Sequence, residues 1–237
     1  MKTYNALSKS FTDEVKTKMG GGKSIDVAFE DVKIMQLANG HEYVDLGLPS
    51  GTMWATCNVG ADKPEDSGLL FQFGRVDGYK YGDENHKFRT FEQNTQDTGD
   101  EYIPVTTSGK VYKANDILDL DDDAAHVNMG GIWKMPTKDE LQELIDNTTH
   151  KVETINGING VLFTSKNNGH QLFIPICGYW SEDDNFLNEN DINVWSSQVY
   201  PSDVSDAFEL YCNPIGDAII YYDRRSHAFS VRGVFKK

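Results

Sequence analysis

The chain has 237 residues, 38% hydrophobic and 25% charged. That is the balance of a soluble globular protein built as one large domain or two small ones. No apolar run approaches the ~18 residues of a membrane span. Met1 to Phe11 holds no apolar signal core, so the chain is expected to be neither exported by a visible signal nor lipid-anchored. A formal net charge of −15 repels nucleic-acid phosphates and anionic membrane surfaces, which argues against both as partners. It points first to solubility and second to a few cation sites.

In chain order, Leu7, Phe11, Val15 and Met19 recur every fourth residue with charged residues between them, one apolar stripe on a short amphipathic helix. Gly20, Gly21 and Gly22 end it. So short a helix is marginal alone, and its stripe needs a surface: the main domain, a copy of itself or another protein. Gly22-Lys23-Ser24 is not a phosphate loop, because Thr17 stands where the motif needs its first glycine and no strand precedes it. Residues 25–37 read as one or two strands. Residues 1–38 are therefore assigned to an N-terminal arm (helix, glycine hinge, strand) and 39–237 to the main domain.

Glycine and Asn/Asp punctuation recurs from Gly47 to Gly82, the mark of a turn-rich domain. The polar stretch 83–110 reads as a long surface excursion. A helix is predicted over Lys138–Asn147, with Thr137 as N-cap and Glu140 completing a capping box and Leu141, Leu144 and Ile145 as its buried face. A second short helix follows Asp121-Asp122-Asp123. Beyond 150 the pattern is strands: Val161–Thr164, Gln171–Ile176, Asn193–Ser196, Ala207–Tyr211, Ala218–Tyr222 and Ala228–Val234. Few helices and many short half-buried strands give an α+β class. Trp54, Trp133, Trp195 and Phe229 are expected in the core, and Arg232 on a buried carboxylate or on carbonyls. Cys57, Cys177 and Cys212 read as buried free thiols, with no zinc spacing.

Several motifs occur in one order: His41-Glu42-Tyr43-Val44-Asp45-Leu46-Gly47-Leu48-Pro49-Ser50-Gly51, Trp54-Ala55-Thr56-Cys57-Asn58-Val59-Gly60-Ala61, Asp122-Asp123-Ala124-Ala125, Gly130-Gly131-Ile132-Trp133-Lys134-Met135-Pro136-Thr137, Gly178-Tyr179-Trp180-Ser181, Val194-Trp195-Ser196-Ser197 and Ala228-Phe229-Ser230-Val231-Arg232-Gly233-Val234. As a set they resemble the Fibrobacter-type major paralogous domain of gut Bacteroidetes and their phages. The resemblance covers about residues 39–235 and implies a C-type lectin-like fold of short antiparallel strands, few helices and long loops.

In proteins of that fold the ligand face lies between about Trp180 and the last strand. The resemblance therefore implies a binding surface drawn from Trp180, Asp183, Asn185, Gln198, Tyr200, Tyr211, Asn213, Tyr221, Tyr222, Asp223, Arg224, Arg225 and His227. Tyr and Arg among Asn and Asp suit an adaptable recognition surface; the alternative is a polar strand face with ordinary loops. Related formylglycine-generating enzymes use paired cysteines that this chain does not match, and the calcium–sugar motifs of animal lectins are absent. No Gly-x-Ser-x-Gly elbow is present, and no catalytic residue is expected. No cofactor is expected either. Calcium stays open at Asp119, Asp121, Asp122 and Asp123, which read first as a helix-start charge cluster, and at the acidic run 181–185, which reads first as a solvated loop.

The resulting expectation is a non-enzymatic recognition module, a phage fibre or decoration protein located on the virion. It would bind a host-surface glycan or protein, form a homo-oligomer such as a trimer, and attach to a capsid or tail protein through Leu7, Phe11, Val15 and Met19. The alternatives are a bacterial surface or periplasmic binding protein whose export signal has been removed, and a hydrolase on the same fold.

Overall fold

Asn-Gly pairs set two of the hairpins. Asn39 (φ 48°) and Gly40 (φ 84°), and again Asn156 (φ 50°) and Gly157 (φ 86°), adopt left-handed backbone at consecutive positions, the requirement of a two-residue hairpin turn. The computed structural model describes residues 36–237, apart from 98–101, 184 and 188–189. The arm helix and its stripe Leu7, Phe11, Val15 and Met19 lie outside the described residues.

The elements run β1 (Gln36–Ala38), β2 (His41–Asp45), β3 (Thr52–Asn58), β4 (Leu70–Gln72), α1 (Phe91–Asn94), β5 (Thr95–Asp97), β6 (Tyr102–Pro104), a 3-10 turn (Leu120–Asp122), α2 (Ala124–Met129) and α3 (Lys138–Asn147). Then follow β7 (Thr148–Ile155), β8 (Ile158–Ser165), β9 (Gln171–Pro175), β10 (Tyr179–Ser181), β11 (Asn185–Leu187), β12 (Ile192–Val199), β13 (Asp206–Cys212), β14 (Ala218–Arg224), β15 (Ala228–Ser230) and β16 (Arg232–Lys236). Gln36–Ala38, the end of the stretch assigned to the arm, is the first strand of a sheet ordered β1-β2-β3-β16. A larger sheet runs β11-β10-β15-β12-β13-β14, with β4 added on β15, and β7-β8-β9 form a meander. The pairings are antiparallel apart from β12 with β15. The architecture is α+β with little helix.

Helix α3 forms where its local signals place it. Glu140 N donates to Thr137 Oγ1 (3.2 Å) and Thr137 N donates to Glu140 Oε2 (2.9 Å), so both ends of the capping box are made. Leu141 and Leu144 are buried in a cluster with Trp54, Phe163, Val194, Leu210 and Cys212; Ile145 packs at its margin. Trp133, Trp195 and Phe229 centre a second cluster with Phe71, Phe73 and Phe235. All four expected anchors are fully buried. The Trp195 indole N–H donates to Phe71 O (2.8 Å) and that of Trp133 to Ala38 O (2.9 Å), so each ring carries its polar atom inside without an unpaired donor.

Three expectations are revised. The stretch Ala228–Val234 is not one strand: it breaks at Val231 into β15 and β16, which belong to different sheets, and Val231 O instead accepts from Val59 N (2.9 Å). Strand β7 was not anticipated, because its charged and apolar residues alternate too weakly to stand out. Cys57 is half-buried rather than buried, while Cys177 and Cys212 are buried; all three are free. Within 83–110 the chain is pinned rather than loose at one point: Gln72 Nε2 donates to Arg89 O (2.6 Å) and Arg89 N to Gln72 Oε1 (3.0 Å).

Arg232 closes the structure. Its side chain is 0% exposed. Nη1 donates to Ala55 O on β3 and Nη2 to Phe173 O on β9, both at 3.2 Å. Burial pushes the guanidinium down to about 10. Arg232→Ala is expected to cost about 3 kcal/mol or more, because it leaves two buried carbonyls without donors and opens a cavity. Arg232→Lys should recover little, since an ammonium cannot fork to both. A lower urea midpoint for both variants, at unchanged m-value, checks this.

Candidate ligand-binding face

The ladder β12-β13-β14 has two unlike faces. Its register sets Asn193 opposite Tyr211 and Tyr211 opposite Ile219, and sets Trp195 opposite Glu209 and Glu209 opposite Tyr221. Directly paired residues share a face and neighbours in sequence alternate. Val194, Leu210, Cys212 and Ile220 therefore point one way, into the cluster under α3. Asn193, Glu209, Tyr211, Ile219, Tyr221 and Asp223 point the other way and line a cavity of about 390 Å³ with Tyr179 and Asp191. Tyr221 and Asp223 also border a larger cleft of about 820 Å³. The two depressions thus adjoin at Tyr221 and Asp223.

Tyrosines form a file here. Tyr200 stacks on Tyr222 (centroids 3.9 Å, planes 13° apart), Tyr222 on Tyr221 (5.1 Å, 19°), and Tyr221 lies 6.1 Å from Tyr211. Tyr221 is 49% and Tyr222 37% exposed. Both stand on β14, at the end of the sheet order, held through β13 to the core. The large cleft adds Glu92, Glu182, Asp183, Asp203 and Asp206 against the single basic side chain Arg224. Arg224 Nη1 bonds Glu182 Oε1 (3.2 Å), and Phe91 N donates to Glu182 Oε2, which ties the 89–91 segment to this wall.

Crowding of like charge and burial perturb two of the carboxyls. Burial, with Asp203 and Asp223 close by, pushes Asp206 up to about 6. Glu209 is 1% exposed; burial chiefly, with Asp223 and Asp191 adding to it, holds it well above the ordinary range against one bond from Asn193 Nδ2 to its Oε2 (3.0 Å). A carboxyl that binds its proton more tightly folded than unfolded favours folding in acid, and that contribution is lost as pH rises through the folded value.

The expected binding residues divide. Asp183, Tyr211, Tyr221, Tyr222, Asp223 and Arg224 line the two depressions, and Tyr200 backs Tyr222. His227 is half-buried, with Nδ1 3.1 Å from Asp223 Oδ1. Asn185 is exposed on β11 with φ 60°, Gln198 donates to Asn115 O (3.4 Å), and Asn213 organises the β13–β14 turn by accepting from Ile215 N and Asp217 N. None of these three lines either depression. Trp180 and Arg225 do not present side chains to solvent, contrary to expectation. Trp180 is buried beside Phe88 (5.3 Å) and His86 (5.5 Å). Arg225 lies 4.9 Å over the Phe73 ring and donates to Val204 O (3.0 Å). A large flat ring and a guanidinium over an aromatic gain more from covered contact than from display.

Sequence reasoning missed Asp191, Asn193, Asp203, Asp206, Glu209 and the 89–92 segment. A usable signal was Glu209 itself, a lone carboxylate in the middle of the otherwise aromatic and apolar run Ala207–Cys212. In the run 119–123 two carboxylates are already engaged by the protein's own donors. Asp122 accepts from Ser108 N (2.7 Å), Ser108 Oγ (2.6 Å) and Tyr112 OH (2.8 Å). Asp123 caps α2 through His126 N (2.8 Å) and takes Met135 N. Among the described residues no group of three or more His, Cys, Asp or Glu side chains is placed to hold a metal. Burial pushes the Cys177 and Cys212 thiols up, away from the thiolate form that a nucleophile needs. Among the described residues no helix is long and apolar enough to cross a membrane. No protein-family model, curated protein or solved structure matches the chain.

Asp206→Asn is expected to raise the melting temperature at about pH 7, with the gain vanishing near pH 4 where the wild-type carboxyl is already protonated. Thermal melts of both proteins across that range check it; a gain that grew in acid would contradict the assignment.

Proposed function

We propose that the chain is a non-enzymatic recognition module of C-type lectin-like fold. Its ligand face is the wall bearing Tyr211, Tyr221, Tyr222, Asp223 and Arg224. The observation that carries this reading is the tyrosine file along β14, the last strand of the sheet order, which β13 holds to the core. Rigid rings with hydrogen-bonding tips supply contact area at low entropic cost, and the ladder behind them fixes their positions in advance. The pairing of β3 with β16 supports the fold reading, because it brings the beginning and the end of the domain together while the intervening segments carry the site.

In this reading the module sits on a phage virion as a fibre or decoration protein. The arm at 1–38 docks on a capsid or tail protein, with Leu7, Phe11, Val15 and Met19 as the gripped stripe, and the head engages a host-surface glycan or protein. Many weak copies, as in a trimer repeated over a particle, then bind by avidity.

Tyr221→Ala and Tyr222→Ala are each expected to weaken binding to host cells or to a glycan or protein array by about ten-fold or more, with melting temperature near that of wild type because both rings are exposed. Undiminished binding by both variants would overturn the recognition reading. Deleting residues 1–24 is expected to abolish incorporation into particles and leave array binding by the head intact; unchanged incorporation would remove the virion assignment.

A further inference from the structure

The smaller cavity is built around a carboxyl that its own protein leaves half satisfied. Glu209 Oε2 accepts from Asn193, whereas Oε1 has no hydrogen-bond partner among the described residues. The side chain is 1% exposed yet lines the cavity. Among the described residues no donor meets Oε1, so a donor that enters the cavity finds this oxygen free to accept. Asp191 and Asp223 share the lining, which contains no Lys, Arg or His. The cavity is therefore lined by carboxyl groups and tyrosines.

We infer that this cavity takes the terminal ammonium of a lysine side chain, presented by a basic peptide segment of a partner protein, with Glu209 at the floor and Tyr211 and Tyr221 as walls. The inference rests on the recognition reading and narrows it to one ligand class. An ammonium brings three donors on a flexible four-carbon stem. The stem suits a floor that is 1% exposed behind a Tyr221 ring that is 49% exposed. The methylenes lie along the rings, and the charge gains from ring faces and carboxylates together. An amine fixed directly to a sugar ring lacks that reach. The neighbouring cleft shares Tyr221 and Asp223 and adds Glu182, Asp203 and Asp206, so a segment with more than one basic residue meets the same sign of charge along the face.

Proton balance gives the inference a second signature. The titratable groups facing Glu209 are Asp191 from the loop before β12, Tyr211 on its own strand, Tyr221 and Asp223 on β14, and Tyr179 on β10. None of them is basic, and the nearest imidazole, His227, stands behind Asp223 with Nδ1 3.1 Å from its Oδ1; burial, with Asp223 and Asp191 close by, makes Glu209 bind its proton more tightly than a free carboxyl. Entry of an ammonium favours the carboxylate, the proton leaves to buffer, and affinity rises with pH.

The test is titration calorimetry of the full chain with a blocked tetralysine peptide, its Nζ-acetylated counterpart and glucosamine, in two buffers of different ionisation enthalpy. Tetralysine is expected to bind with buffer-dependent heat, and the acetylated peptide and glucosamine not to bind. Glu209→Gln should lose at least ten-fold in affinity, about 1.4 kcal/mol, while Asp139→Asn, an exposed carboxylate on α3, should change nothing. Absent binding of tetralysine, equal binding of the acetylated peptide, preference for glucosamine, or wild-type affinity in Glu209→Gln would each overturn the inference. Should Glu209→Gln not fold, buffer-independent heat in the wild-type protein overturns it. If Glu209→Gln binds normally while the tyrosine variants still lose the host surface, only the cation inference fails. If the tyrosine variants keep the host surface, the recognition reading fails as well.

Discussion

A guanidinium sealed away from water holds this fold together. Arg232 gives its hydrogen bonds to carbonyl oxygens on two different sheets, so one side chain fastens the last strand to β3 and to the β7–β9 meander. A buried cation is expensive unless its donors are used; both terminal nitrogens are used here, while Nε has no partner among the described residues, and only a chain in which β3, β9 and β16 come together offers both acceptors. The indole N–H groups of Trp133 and Trp195 act in the same way on Ala38 and Phe71. Long-range backbone carbonyls, more than ion pairs, tie distant segments of the domain together.

With that frame closed, β12, β13 and β14 bury Val194, Leu210 and Cys212 in the cluster under α3, and bury Trp195, Val199 and Ala207 in the second cluster on their other side. Only the part of that side around Glu209, Tyr211 and Tyr221 is left to carry tyrosines and carboxyls that would be unfavourable in a core. The perturbed acids follow from the same division. Asp206 and Glu209 occupy positions where the backbone is fixed by pairing, so they cannot move apart to relieve repulsion or burial, and they bind protons more tightly instead. The face stores unsatisfied electrostatic demand because its scaffold is rigid.

What could be read from the residues in advance tracks how local the cause is. Helix α3 was legible to the residue because Thr137 and Glu140 are three apart and act on one turn. The aromatic anchors and Arg232 were legible because their size and chemistry leave few places to go. Trp180 and Arg225 were misplaced because each sits in a polar stretch, and what covers them, Phe88 and Phe73, comes from more than ninety residues away. Strand β7 was missed although Asn156-Gly157 marked its turn. The partnership of Glu209 with Asn193 was out of reach, since it follows only from the β12–β13 register. Most of the candidate face lay in the expected C-terminal region; the contribution of the 89–92 segment, Glu92 included, needed the tertiary structure.

The antiparallel order β1-β2-β3-β16 has a mechanical consequence. Gln36 lies beside Tyr43, and Lys236 beside Thr52, so the chain enters and leaves at the same end of that sheet, in strands that run in opposite directions. Tension applied between the two termini would peel the outer strands one rung at a time rather than shear whole ladders at once. With the chain held by one end only and load arriving at the tyrosine wall, the pull passes through one outer strand and leaves the ladder of the other unloaded, so a single tether puts one edge of this sheet at risk instead of two.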